Sequence, residues 1–185
     1  MASRLVVLAS GEGSILQALL DSTVRERIVA VGSDVAGCRA LARAMDAGIE
    51  TFSVDPGDFD TRSEWDAAFL ERLRAVHPSW IALAGFMRIL DPTVVGTFRS
   101  RIVNVHPSLL PAFPGAHAVR DALQAGVKVT GCTVHVVDEG VDTGPIIAQR
   151  ALEVLPGDDV STLHGRIKRI EADLMVEVLT QLTDR

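Results

Sequence analysis

The chain of 185 residues is 48% hydrophobic and 23% charged, which excludes a disordered or low-complexity protein and fits one globular domain over residues 1–185. A net charge of −6 argues against a general nucleic-acid binder, which needs a basic face, but leaves room for a small anionic ligand held by a few local arginines. The two cysteines, Cys38 and Cys132, form no CxxC or Cys/His cluster and read as reduced thiols of a cytoplasmic protein, and no apolar run is long enough for a signal peptide or a membrane span.

Leu5–Ala9 reads as a buried strand, followed by the turn Ser10–Ser14 and a helical pattern from Ile15 to Asp21. Ile28–Gly32 is a second strand. Arg39 to Ala47 is helical and stops at Gly48, a C-cap residue. Thr61 with Glu64 three residues on forms a capping box, opening a helix whose apolar stripe is Trp65, Ala68, Phe69, Leu73 and Val76. Trp80–Ala84 is the third apolar strand and Ile102–Val105 the next. The pattern then changes. Val127–Val137 alternates as a longer strand, Ile146–Val154 is another, and the turn Asp138–Pro145 joins them as a hairpin. A last helix starts near Asp159 with its stripe at Leu163, Ile167, Ile170, Leu174 and Val178. Apolar strands alternating with helices predict an α/β class: a Rossmann-like, mainly parallel central sheet with helices on both faces and a late antiparallel extension.

The chemistry concentrates in Asn104–Pro111. An amide and an imidazole two residues apart on an extended backbone, Asn104 and His106, point to one side. Pro107 and Pro111 stop the strand and stiffen its exit. A donor amide and a titratable ring at a strand end, where α/β sheets place ligands, suit acyl-type chemistry. Upstream, Gly11-Glu12-Gly13-Ser14 precedes the first helix, so free backbone N–H groups beside permissive glycines can receive a phosphate; a tight βα turn without a ligand is the plain alternative. A dinucleotide fingerprint is weakened because Leu16 stands at its third glycine, although Asp34 sits where its acidic residue belongs. His77 and His164 read as surface helix residues, and a zinc set of His106, His117 and His135 matches no established ligand spacing. Asp138, Glu139 and Asp142 lie in the late turn. One of them facing His106 would favour the charged ring and keep an acid available near neutral pH. Arg62 and Arg88 are candidates for a substrate carboxylate or phosphate.

Four motifs in this order and separation, Gly11–Ser14, Ala84–Leu90, Asn104–Pro111 and Asp138–Ile146, resemble the phosphoribosylglycinamide formyltransferases over essentially the whole chain. The Asn-x-His-Pro-Ser-Leu-Leu-Pro run and the late aspartate are similar across formyltransferases that use 10-formyltetrahydrofolate. The Gly-rich loop favours a ribonucleotide acceptor, as does a length that leaves no room for the extra domains of methionyl-tRNA formyltransferase or formyltetrahydrofolate deformylase. The resemblance implies a nucleotide- and phosphate-binding half, residues 1–100, and a catalytic and folate-binding half, residues 101–185. It implies Asn104, His106 and Asp142 as the catalytic set. Gly13, Ser14 and the backbone of Ile15, where relatives often carry Asn, would hold the acceptor phosphate; Lys168 and Glu171 would also bind the acceptor, Glu171 at its amine. Arg62, Met87, Arg88, Ile89, Leu90 and Asn104 would surround the folate, with Asp138, Glu139, Gly140, Val141 and Asp142 closing over it. The implied reaction passes a formyl group from 10-formyltetrahydrofolate, a co-substrate, to glycinamide ribonucleotide in purine biosynthesis, without a metal. The expected partners are these small molecules, not nucleic acid or membrane, with a homodimer as the assembly allowed for.

Overall fold

The computed structural model describes residues 3–184. In chain order its strands are β1 (Leu5–Leu8), β2 (Ile28–Ser33), β3 (Glu50–Ser53), β4 (Trp80–Leu83), β5 (Ile102–His106), β6 (Val129–Val136) and β7 (Ile146–Glu153). Its helices are α1 (Ser14–Leu20), α2 (Arg39–Asp46), α3 (Arg62–Val76), α4 (Pro92–Thr97), α5 (Ala118–Gln124) and α6 (Val160–Thr183). The strands form one sheet in the order β3-β2-β1-β4-β5-β6-β7. β1 to β5 are parallel, and β6 runs antiparallel to both β5 and β7. The α/β class and the late antiparallel extension are therefore as the sequence predicts.

The central strand shows why the sheet is covered on both sides. All four β1 residues are inaccessible to solvent. Leu5 and Val7 join a core with residues of α1, α2 and α6, whereas Val6 and Leu8 join a second core with residues of α3 and α4. Alternating side chains serve two cores, so the strand has no polar face. Each such side chain contributes roughly 1.5–3 kcal/mol by leaving water.

β3 was not expected from the sequence. It is an edge strand on which only Phe52 is buried, so Glu50, Thr51 and Ser53 hide it from any search for apolar runs. The short helices α4 and α5 likewise lie in segments without a predicted element. The predicted capping box of α3 is present: Thr61 Oγ1 accepts from the Glu64 N–H at 3.2 Å and Glu64 Oε2 accepts from the Thr61 N–H at 3.0 Å. Asp159 and Thr162 form a second box that starts α6. Trp65 on α3 donates its indole N–H to the Val54 carbonyl at 2.8 Å and stacks on Phe69, which stacks on Phe86 beyond β4.

β1 pairs with β2 on one side and β4 on the other, so the chain order reverses between β1 and β4. The loops leaving these two strands flank a crevice at the carboxyl end of the sheet, where ligands of α/β proteins bind. The sheet is continuous across residue 100 through the β4–β5 pairing, and α6 packs on α1. Residues 1–100 and 101–185 therefore share one sheet, and both cores draw on both halves.

Candidate active site

Asn104 and His106 share the face of β5 that carries Ile102, as alternation requires, while Val103 and Val105 enter the opposite core. The antiparallel register sets His135 across from Asn104 and Thr133 across from His106. Pairing thus delivers a second imidazole: His135 Nε2 stands 3.3 Å from the Asn104 amide nitrogen. Its Nδ1 lies 3.0 Å from the Val136 carbonyl, which can only accept, so Nδ1 carries a proton and in the neutral ring Nε2 accepts from Asn104. The sequence alone puts His135 only in a zinc set whose spacing matches no established ligand pattern. The missing information is the register, which no local pattern contains.

The rigid exit from β5 is built by Thr133 and Gln149. Thr133 Oγ1 donates to the Ser108 carbonyl at 2.7 Å and accepts from the Leu110 N–H at 3.0 Å; the Gln149 amide donates to the Leu110 carbonyl at 2.8 Å. The chain then turns so that the Phe113 carbonyl meets His106 Nε2 at 2.8 Å.

From the other side the turn after β6 brings in Asp142, in a left-handed conformation with φ 56°. Its Oδ2 accepts from the Gly115 N–H at 2.8 Å and stands 3.2 Å from His106 Nδ1; its Oδ1 lies 3.5 Å from His135 Nε2. Both His106 nitrogens thus face oxygens that only accept, an arrangement the doubly protonated ring satisfies. The interaction with His135, then the Gly115 N–H and the two imidazole charges, hold the Asp142 carboxyl below the usual range against the opposing effect of burial. Asp138 shapes this turn: its Oδ1 accepts from Gly140 N–H and Thr143 Oγ1. Glu139 lies at the rim, 3.9 Å from Arg99. Any Cβ on Gly144 would collide with the Val136 carbonyl, so the turn requires glycine there.

The remaining candidate residues lie on opposite faces of the sheet. On the α1/α6 face, Gly13 caps α1 with φ 69°, and no side chain caps its first turn among the described residues. Ser14 is exposed, but Ile15 is 6% exposed and packed in the core, so only its backbone is available. A Cβ on Gly13 would sit 2.8 Å from Ala40 Cα. Gly13→Ala is accordingly expected to lose about 1–2 kcal/mol from the left-handed strain alone, read as a lowered midpoint in urea unfolding. Glu171 on α6 is 5% exposed, and burial pushes its carboxyl up to about 7, offset only in part by Lys168. Lys168 itself is exposed.

On the α3/α4 face, Met87, Ile89 and Val141 are exposed apolar side chains, 79%, 69% and 51% accessible, and Phe86 is buried beneath them. Leu90 departs from the expected wall. Its side chain is buried in the core with Phe69 and Val94, because the loop turns inward to start α4, so only its backbone can reach a ligand. Arg62 bonds Asp66 through Nε and the Ile89 carbonyl through Nη2, with its guanidinium 4.9 Å from the Trp65 ring centre. Arg88 sits 5.7 Å from the same ring. Asp34 is not free for a ribose, since Ser10 and Arg88 occupy its two oxygens, which removes the remaining support for a dinucleotide fingerprint. Of the other histidines, His77 is the left-handed C-cap of α3 and His117 the exposed N-cap of α5. Among the described residues no group of three His, Cys, Asp or Glu side chains could hold a metal ion, and no helix is long and apolar enough to cross a membrane.

Residues 3–179 match the Formyl transferase family. The chain is 51% identical to a phosphoribosylglycinamide formyltransferase of Mycobacterium tuberculosis, over 97% of this chain and 85% of that one. Its structure superposes on glycinamide ribonucleotide transformylase 1 of Symbiobacterium toebii with a TM-score of 0.94 at 45% identity, covering 99% of this chain and 88% of that one. The Geobacillus kaustophilus counterpart gives 0.93 at 41% identity, covering 99% and 100%. With an amide, two imidazoles and a carboxylate gathered at the sheet end and a match over residues 3–179, the chain belongs to the formyl transferase family.

Proposed function

We infer that this enzyme transfers the formyl group of 10-formyltetrahydrofolate to the amine of N1-(5-phosphoribosyl)glycinamide, giving the N-formyl product and tetrahydrofolate in de novo purine biosynthesis, in the cytoplasm. The observation that carries the reading is the convergence of Asn104, His106 and Asp142 in a chain half identical to an enzyme of that name. The two faces of the sheet end carry groups suited to the two substrates. The acceptor's phosphate takes the N–H groups of Gly13, Ser14 and Ile15, and its amine approaches Glu171, with Lys168 at the rim. The folate lies along Met87, Arg88 and Ile89 and the Leu90 backbone, with Arg62 near its anionic tail and the loop from Asp138 through Glu139, Gly140 and Val141 to Asp142 over it. Residues 1–100 supply the phosphate loop and 101–185 the reacting groups of one formyltransferase domain.

The amine attacks the formyl carbon, the carbonyl electrons move to oxygen, and the intermediate collapses as the bond to the folate nitrogen breaks. The amine must lose one proton and the folate nitrogen gain one. Asn104 donates its amide N–H to the developing oxyanion, a contact whose loss costs roughly 10²–10³ in rate. His106 as imidazolium supplies the proton to the leaving nitrogen and is restored by the proton the amine gives up, with Asp142 as counterion at its Nδ1. Transfer from Nε2 requires the ring to exchange the Phe113 carbonyl for substrate.

Incubation with 10-formyltetrahydrofolate and glycinamide ribonucleotide is expected to yield the N-formyl ribonucleotide by mass spectrometry, and no product with a nucleotide-linked amino sugar. Turnover of the amino sugar alone would assign the enzyme to a sister activity.

A further inference from the structure

We propose that Asp34 is a positioning residue that presets the folate-side wall. Asp34 follows β2 and is 4% exposed. Its carboxylate reaches across the end of β1 to both loops that flank the crevice. Ser10, just after β1, donates its hydroxyl to Oδ1, and Arg88, after β4, donates Nε–H to Oδ2 at 2.8 Å. Ser10 ties the loops a second time: its Oγ accepts from the Met87 N–H at 2.8 Å and its N–H donates to the Gly85 carbonyl at 3.0 Å. One buried carboxylate thus fixes the Met87 backbone through Ser10 and the Arg88 side chain directly.

The geometry does more than pair charges. Arg88 is bound by its Nε edge, its side chain is 40% exposed, and its guanidinium lies 5.7 Å from the Trp65 ring centre. The two Nη groups are left for an anionic group of a ligand, on a fork whose rotamer is already chosen. A long side chain that is ordered beforehand loses less freedom on binding, so the pairing converts directly into affinity. Asp34 touches none of Asn104, His106 or Asp142, whose contacts come from β6, the late turn and the loop after β5. Its effect should therefore fall on binding of the formyl donor and not on the chemical step. The inference rests on the reading above that residues 87–90 face the folate.

Asp34→Ala is expected to raise KM for 10-formyltetrahydrofolate about tenfold, the worth of one charge-assisted hydrogen bond together with the lost ordering, with kcat within about twofold of wild type. The Kd of tetrahydrofolate, titrated calorimetrically without oxygen, should weaken by the same factor. Asp34→Asn, which keeps shape and the Ser10 contact, should show an intermediate rise at a near wild-type melting temperature, and it carries the test if the alanine variant fails to fold. In an Arg88→Met background the Asp34 substitutions should change Kd by less than about twofold, a coupling that a merely structural role would not produce. Unchanged KM and Kd in Asp34→Asn and Asp34→Ala, or equal weakening with and without Arg88, overturns the proposal. Because the calorimetric arm needs no acceptor, failure of wild type to formylate glycinamide ribonucleotide would overturn the assigned activity separately.

Discussion

Asp142→Asn is expected to lower kcat by roughly 10²–10⁴-fold, the range over which a positioned acid acts, while KM for both substrates changes little. The substitution keeps the shape of the side chain and removes its charge. In wild type the two carboxylate oxygens face Gly115 N–H, His106 Nδ1 and His135 Nε2, all of which donate when the rings are charged. An amide carries no charge, so the charged form of His106 loses its counterion. His106→Ala should reach a comparable floor and the double variant should add little, because the two groups act as a unit. Stability offers an independent check. The Asp142 carboxyl lies below its ordinary range, so its stabilising contribution is complete above about pH 4 and disappears as pH falls through its depressed value. Acid-unfolding curves of Asp142→Asn should lack that component. Steady-state turnover decides the matter: full activity in Asp142→Asn would remove Asp142 from the mechanism.

Glu171→Gln should stabilise the protein at pH 8 while weakening acceptor binding. A carboxyl raised from 4.5 to about 7 by burial is protonated in the folded chain at pH values where the unfolded chain has released its proton. Stability then falls as pH rises from about 4.5 to about 7 and the loss is complete above that. At 1.36 kcal/mol per pH unit the loss is on the order of 3 kcal/mol, or roughly 5–10 °C in melting temperature for a chain of this size. Gln cannot ionise, so its melting temperature should be nearly level between pH 5 and pH 8, where wild type declines. Identical pH dependences of melting would show that Glu171 does not titrate in this way. An amine cation arriving beside Glu171 would offset the destabilised charge, so KM for glycinamide ribonucleotide should rise in the variant and KM for the folate should not.

The elements that sequence reading finds are those that bury one kind of side chain in an unbroken run, such as β1, or carry a start signal, such as Thr61 with Glu64. β3 lacks both, because an edge strand needs only Phe52 to hold it. Asn104 and His106 were legible because two residues of one strand share a face by geometry alone. His135 was not, since its place beside Asn104 depends on which residue of β6 pairs with which residue of β5. Asp34 was legible only as a position, standing where a weakened dinucleotide fingerprint would want its acid, while its oxygens bind Ser10 and Arg88. Leu90 shows the same limit, because a loop motif does not say which of its side chains turns inward. The depth of Glu171 was hidden by its place just off an apolar stripe, where helix rotation and the sheet beneath decide burial.

The antiparallel turn of β6 makes the catalytic arrangement self-checking during folding. Cys132 and Val134 enter one core, and Thr133 and His135 therefore project from the other face. A slip of one residue against β5 would push Thr133 and His135 into the apolar core and expose Cys132 and Val134 on the polar face. Such a misaligned chain would bury unsatisfied polar groups and be much less stable. The oily side of the strand thus proofreads the reactive side, and a correctly assembled interior carries the imidazole opposite Asn104 without any separate device to place it.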